Sequence, residues 1–132
     1  MSEIAGVLLV DDDEVANFVH KSFLKKENIA KQITVVMNGQ EAIEEIRASN
    51  PHVNDKPTLI LLDINMPVMN GHEFLDAFRQ IEHSKKQFYK IVILSSSDNV
   101  RDIEMAQAKG ATAYLNKPLE VEKVRNVISS YF

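Results

Sequence analysis

LILLDINMPVMNG, residues 59–71, opens with four consecutive large aliphatics, Leu59, Ile60, Leu61 and Leu62. The run is too short for a typical helix and too apolar for an edge strand, so it reads as a strand covered on both faces. It stops at Asp63. Pro67 cannot continue a central strand, Asn70 and Gly71 suit a turn, and a helical pattern begins at His72. Asp63 therefore stands where a buried strand emerges, the edge of an open α/β sheet at which ligands bind. Two readings remain open for it at this point: a turn aspartate, or a nucleophile or metal ligand.

The same pattern recurs along the chain. Ile4 to Val10 is apolar apart from Gly6 and ends in Asp11, Asp12 and Asp13. Val15, Phe18, Val19, Phe23 and Leu24 then carry helical spacing and predict one buried stripe. Ile33 to Val36 is a short β-branched strand, and Ala42, Ile43 and Ile46 mark a second helix after Asn38-Gly39. The polar segment Ser49 to Pro57 reads as a loop. Beyond the central strand, Phe74, Leu75, Phe78 and Ile81 predict a third helix, with Asn70 as N-cap and Glu73 as its capping-box partner. Lys90 to Leu94 is a fourth strand followed by Ser95, Ser96, Ser97 and Asp98. Val100, Ile103 and Ala106 lie on a fourth helix closed by Gly110. Ala113 to Asn116 is a fifth strand leading to Lys117-Pro118, and Val121, Val124, Val127 and Ile128 give a fifth helix. Strands and helices alternate through short connections, so the expected architecture is α/β: a doubly wound, five-stranded parallel sheet with five helices.

A length of 132 residues with 45% hydrophobic content suits one domain with a single core, and the absence of cysteine excludes thiol catalysis, Cys-based zinc sites and disulfides. A net charge of -4 argues against nucleic acid as main partner. The pairs Lys25-Lys26 and Lys85-Lys86 read as solvated surface. The first ten residues carry no basic region, and their apolar run is too short for a signal peptide or a membrane span, so a cytoplasmic location is expected. The last helix runs to Phe132, and one domain over residues 1–132 without an output module is expected.

In one parallel sheet, Asp11, Asp12 and Asp13, then Asp63, Ser95 and Lys117, share one edge. Carboxylates crowded together repel one another unless a cation neutralises them. Mg2+, held by a few oxygens and otherwise hydrated, suits such a set and leaves positions for a phosphoryl oxygen, while Lys117 and Ser95 meet other developing charge. Taken singly, each residue has a bland explanation as a cap, a helix start or an exposed lysine. Taken jointly, the set suits phosphoryl transfer.

With VDDD at 10–13, LLDINMPVMNG at 61–71, ILSS at 93–96 and YLNKP at 114–118, in order and well spaced, the chain resembles the response-regulator receiver domains of two-component signalling, which have a flavodoxin-like fold. The resemblance covers residues 4–132. It implies that Asp63 is the phosphoacceptor, attacking a phosphohistidine of a partner histidine kinase or phosphotransfer protein. It implies Mg2+ at Asp12, Asp63 and the backbone carbonyl of Asn65, with Asp11 acting through bound water and Asp13 as a surface or capping residue. Ser95 takes the place whose hydroxyl meets a phosphoryl oxygen, Lys117 that of the pairing lysine, and Tyr114 that of the switch aromatic, for which a plain half-buried strand aromatic is the alternative. The Lys117–Pro118 bond is typically cis in the family. Asn65 and Ser97 occupy positions that modulate dephosphorylation. The implied output is a protein target on the face of the fourth helix, fifth strand and fifth helix. The implied activity is limited to the domain's own phosphorylation and dephosphorylation.

A different class also fits one motif. Asp11 to Val15, DDDEV, matches the DxDx(T/V) pattern of Mg2+-dependent haloacid-dehalogenase-type phosphatases, with Asp11 as nucleophile. Those enzymes need a larger chain and acidic residues where Ser95 to Ser97 stand. A flavin-binding module fits less well, because an acidic triplet replaces the hydroxyl-rich phosphate loop.

Overall fold

The computed structural model describes residues 4–49, 56–96 and 99–132. In chain order the elements are β1 (Gly6–Val10), α1 (Glu14–Lys26), β2 (Gln32–Val36), α2 (Gly39–Ala48), β3 (Thr58–Leu62), α3 (Gly71–Phe78), α4 (His83–Lys86), β4 (Tyr89–Ser95), α5 (Val100–Ala108), β5 (Ala113–Asn116) and α6 (Val121–Tyr131). The sheet order is β2-β1-β3-β4-β5, all parallel, with β3 in the centre.

Alternation along the central strands divides the core into two layers. Leu8, Val10, Ile60, Leu62, Ile91 and Ile93 face α2, α3 and α5, meeting Ile43, Ile46, Phe74, Leu75 and Ala106. Val7, Leu9, Leu59, Leu61, Val92 and Leu94 face α1 and α6 through Leu24, Val124 and Val127. The near-continuous apolar runs in the sequence follow from this two-sided cover, and each fully buried leucine contributes roughly 2 kcal/mol.

The fold class agrees with the expectation, with one element more. The short helix α4 makes the expected fourth and fifth helices α5 and α6. Its lysines lie at the surface, as expected, and also bind the ends of neighbouring helices. Lys85 Nζ donates to the carbonyl of Arg47 in α2 (2.6 Å) and Lys86 Nζ to that of Arg79 after α3 (3.1 Å), covering carbonyls left without helical partners at two C-termini.

The buried stripe of α1 also needs correction. Val15, Phe18 and Val19 are 73%, 74% and 53% exposed, whereas Asn17, His20 and Leu24 are buried. Phe23 packs partly against the core. The helix is rotated so that two polar side chains, Asn17 and His20, face inward. Elsewhere the local signals hold. Asp13 caps α1 by accepting from the amides of Val15 and Ala16. Asn38 caps α2, Asn70 and Glu73 form a capping box, and Gly110 has φ +104 after α5. The N-cap of α5 is Asn99, whose side chain accepts from the Arg101 amide, while Ser97 and Asp98 lie outside the described residues. Ile81 lies beyond the end of α3 but is still buried in the core.

Candidate functional site

The register of the sheet assembles the site. Val10 pairs with Leu62 across β1 and β3, so Asp11 and Asp63 emerge side by side, and the Asp63 amide donates to the Val10 carbonyl at 2.9 Å. Ser95 ends β4 fully buried beside Asn116, and the Lys117 amide donates to its carbonyl at 3.0 Å. The carboxyl-terminal ends of β1, β3, β4 and β5 thus place Asp11, Asp63, Ser95 and Lys117 along one edge.

Ligand oxygens of Asp11, Asp12 and Asp63 lie within 4.8 Å of one another, with Asp11 and Asp63 buried and Asp12 exposed. Lys117 Nζ is 2.6 Å from Asp11 Oδ2 and 3.7 Å from Asp63 Oδ1. Asp11 Oδ1 accepts from the Asp13 amide at 3.0 Å, so both oxygens of Asp11 are engaged. Burial pushes the Asp63 carboxyl up to about 6. The Lys117 charge and the Ile64 amide oppose this, while Asp11 and Asp12 add to it. Burial works against the Lys117 ammonium too, but its hydrogen bond to Asp11 and the charge of Asp63 outweigh it and hold its pKa above the ordinary value.

This donor set fits a hard divalent cation. Three carboxylates converge, one of them exposed, and among the described residues the ammonium of Lys117 alone pairs with them, which leaves them under-compensated. Asp11, Asp12 and Asp63 would hold such an ion.

The loop after Asp63 is closely packed. The Gly71 amide donates to the Ile64 carbonyl at 2.8 Å, and a Cβ on Gly71 would stand 2.7 Å from the Asp63 carbonyl oxygen and 2.8 Å from Ile64 Cα. Val68, 80% exposed, sits at φ +68 in the turn closed by Met69 N to Pro67 O (2.7 Å). The Met69 carbonyl accepts from the Gly39 amide, which ties this loop to the start of α2.

Tyr114 is half-buried against the cluster containing Ile93, Asn65 is exposed, and the Lys117–Pro118 bond is cis. Ser97 lies outside the described residues. Sequence reading missed Asn17 and His20. Asn17 Nδ2 donates to the Asp11 carbonyl at 2.8 Å. His20 is buried near Lys117, Asp11 and Asp13; burial and the lysine charge lower its pKa, while the two aspartates oppose them. The available signal was the spacing of Asn17, His20 and Leu24, which forms a helical face as regular as the apolar one.

Comparison with known proteins agrees with this geometry. The family model described as response regulator receiver domain matches residues 7–129. The nitrate/nitrite response regulator protein NarL of Escherichia coli is 37% identical over 123 residues, which are 91% of this chain and 51% of that protein. The chain thus spans about half the length of that relative. A probable chemotaxis protein CheY of Rhizobium etli is 30% identical over all of this chain and 95% of its own length. Among solved structures, a response regulator receiver protein from Dyadobacter fermentans superposes with a TM-score of 0.87 at 27% identity, covering 97% of this chain and 98% of that one.

Proposed function

Because this chain belongs to the response regulator receiver domain family of two-component signalling, we propose that it accepts a phosphoryl group on Asp63 from a phosphohistidine of a kinase or phosphotransfer protein. The observation that carries this reading is the pairing of a buried carboxylate, Asp63, with the Lys117 ammonium 3.7 Å away and two further acids beside it. An Asp63 oxygen attacks phosphorus, the P–N bond of the donor breaks, and the imidazole leaves with the bonding electrons and takes a proton. Bound Mg2+ would supply charge neutralisation at the transferring oxygens. Lys117 pairs with the incoming phosphoryl group, and the Ser95 hydroxyl turns toward it. Asn65 would offer its backbone carbonyl to such an ion.

The phosphatase reading with Asp11 as nucleophile is disfavoured, since Asp11 is bound through both oxygens to Lys117 and the Asp13 amide. Asp63 is buried beside them, with the Lys117 ammonium 3.7 Å away, and burial raises its carboxyl to about 6.

The donor protein has to cover the rim above Asp63. There Val15, Phe18 and Val19 form an exposed apolar stripe beginning two residues after Asp13, suited to an amphipathic helix carrying the phosphohistidine. Output runs through Ser95 and Tyr114 to the face of α5, β5 and α6, where Val100, Met105 and Tyr131 are exposed. Helix α5 is tied to α3 by His72–Asp102 (3.2 Å) and Asp76–Lys109 (2.8 Å), two partly exposed contacts that a shift of α5 can exchange.

The test is incubation with Mg2+ and acetyl phosphate followed by intact mass. One added phosphoryl group, lost in base and absent in Asp63→Asn, supports the reading; an adduct persisting in Asp63→Asn overturns it.

A further inference from the structure

Hydrophobicity alone would turn α1 the other way. Val15, Phe18 and Val19 would gain cover, and the amide of Asn17 and the imidazole of His20 would regain water. A specific contact opposes that rotation. Asn17, 4% exposed, donates one amide hydrogen to the main-chain carbonyl of Asp11 at 2.8 Å, and its Nδ2 also lies 3.7 Å from Met37 Sδ. Among the described residues its Oδ1 is buried with no hydrogen-bond partner, so the polar contacts of the side chain are those of its N–H groups.

The contact falls on the acidic loop at a sensitive place. Asp11 is the first residue past β1, its amide donates to the Val36 carbonyl at 3.2 Å, and its carboxylate is fixed by Lys117 and the Asp13 amide. The carbonyl of Asp11 and the N–H of Asp12 belong to one rigid plane, so holding that carbonyl sets the direction from which Asp12 leaves the chain. Asp12 is the exposed member of the three-carboxylate cluster and lacks the packing that orients Asp11 and Asp63.

We propose that Asn17 is a positioning residue that clamps the Asp11–Asp12 peptide so that the carboxylates of Asp11, Asp12 and Asp63 converge on one divalent cation. The proposal rests on the phosphoacceptor reading above. It accounts for a polar residue on the core stripe of α1, where local packing rules give way to the needs of a site.

The test compares the full chain with Asn17→Leu and Asn17→Ser. Mg2+ affinity is measured by isothermal titration calorimetry, thermal unfolding is followed in EDTA, and acetyl phosphate labelling is run at limiting and saturating Mg2+. Leucine removes the unsatisfied oxygen but also the donor to the buried Asp11 carbonyl, two effects that oppose each other, so Asn17→Leu is expected to unfold near the wild-type temperature. It is expected to bind Mg2+ about tenfold more weakly, the size of effect seen when a group orienting a metal ligand is lost. Its labelling should slow by the same factor at limiting Mg2+ and recover at saturation. Asn17→Ser, with a hydroxyl too short to reach the Asp11 carbonyl, should show the same loss of affinity and serves if the leucine variant does not fold. Mg2+ affinity within twofold of wild type in a folded variant overturns the proposal, whatever happens to stability. A wild-type chain that neither binds Mg2+ nor accepts phosphate overturns the phosphoacceptor reading and this inference with it. A wild-type chain that does both beside variants of unchanged affinity overturns this inference alone.

Discussion

Lys117 Nζ stands 2.6 Å from Asp11 Oδ2, so the lysine that ends the path of β5 holds an acid at the end of β1, on the far side of the central strand. The contact spans 106 positions of sequence and joins the two flanks of the site through side chains alone. It also keeps the ammonium within 3.7 Å of Asp63.

Removing that cation leaves two buried acids without their partner. Lys117→Met is expected to lose about 2 kcal/mol in metal-free buffer and to regain much of it when Mg2+ is added, because the ion neutralises the same carboxylates. Its labelling by acetyl phosphate should fall about 100-fold even at saturating Mg2+. Urea denaturation with and without Mg2+, together with labelling rates, checks both parts.

Asp63 imposes a pH dependence of definite sign. Its carboxyl is raised from 3.8 to about 6 in the folded chain. Well below pH 3.8 the acid is protonated in both the folded and the unfolded state and adds nothing to the balance. From pH 3.8 to about 6 the unfolded chain ionises while the folded chain holds the proton, so stability falls, and above 6 the penalty stays at its full value of at most about 3 kcal/mol. Asp63→Asn, neutral throughout, is therefore expected to stabilise the metal-free protein at pH 8 by about 1–3 kcal/mol and to change little at pH 4. Urea denaturation in EDTA at the two pH values measures the difference.

Gly71 faces backbone, not a flexible side chain. The methyl of Gly71→Ala would meet the Asp63 carbonyl oxygen at 2.7 Å, so the loop has to move. The expected result is a loss of about 1–3 kcal/mol, accompanied by slower phosphorylation because the displaced residue is Asp63 itself. Chemical denaturation and labelling of the same preparation test whether the two effects occur together.

Helix α1 gives opposite expectations for two apolar residues of one sequence pattern. Phe18→Ser, on the solvent side, is expected to change stability by less than about 0.5 kcal/mol. Leu24→Ala, fully buried, should cost about 2–5 kcal/mol. Phe18→Ser should also slow phosphotransfer from a histidine-phosphorylated protein while leaving labelling by acetyl phosphate unchanged. Equal slowing with both donors would place Phe18 in the chemistry and not in docking.

Much of this architecture was legible because the central strands are covered on both faces. Leu59 to Leu62 and Ile91 to Leu94 are apolar without alternation, and each ends abruptly in a polar residue. The cap signals at Asn70, Glu73 and Gly110 are local chemistry and held for the same reason. The site positions of Asp11, Asp63, Ser95 and Lys117 followed from parallel register, which brings successive strand ends to one edge. The rotation of α1 was not legible. Periodicity assigns the apolar face inward, whereas here a side-chain amide reaches the carbonyl of Asp11, and that contact is visible only once β1 and α1 are placed together. The short helix α4 escaped for a related reason: His83 to Lys86 has no apolar stripe and is held by lysine contacts to the ends of other helices.

The most direct measurement is to locate the phosphoryl group chemically. The chain is labelled with acetyl phosphate and Mg2+, the acyl phosphate is reduced with borohydride, which converts a phosphorylated aspartate to homoserine, and the digested peptides are sequenced by mass spectrometry. Homoserine at position 63 alone is the expected result. Homoserine at position 11, 12 or 13, or a labelled chain with position 63 unmodified, would contradict the assignment of Asp63 as phosphoacceptor and return the phosphatase-like reading of the first acidic cluster.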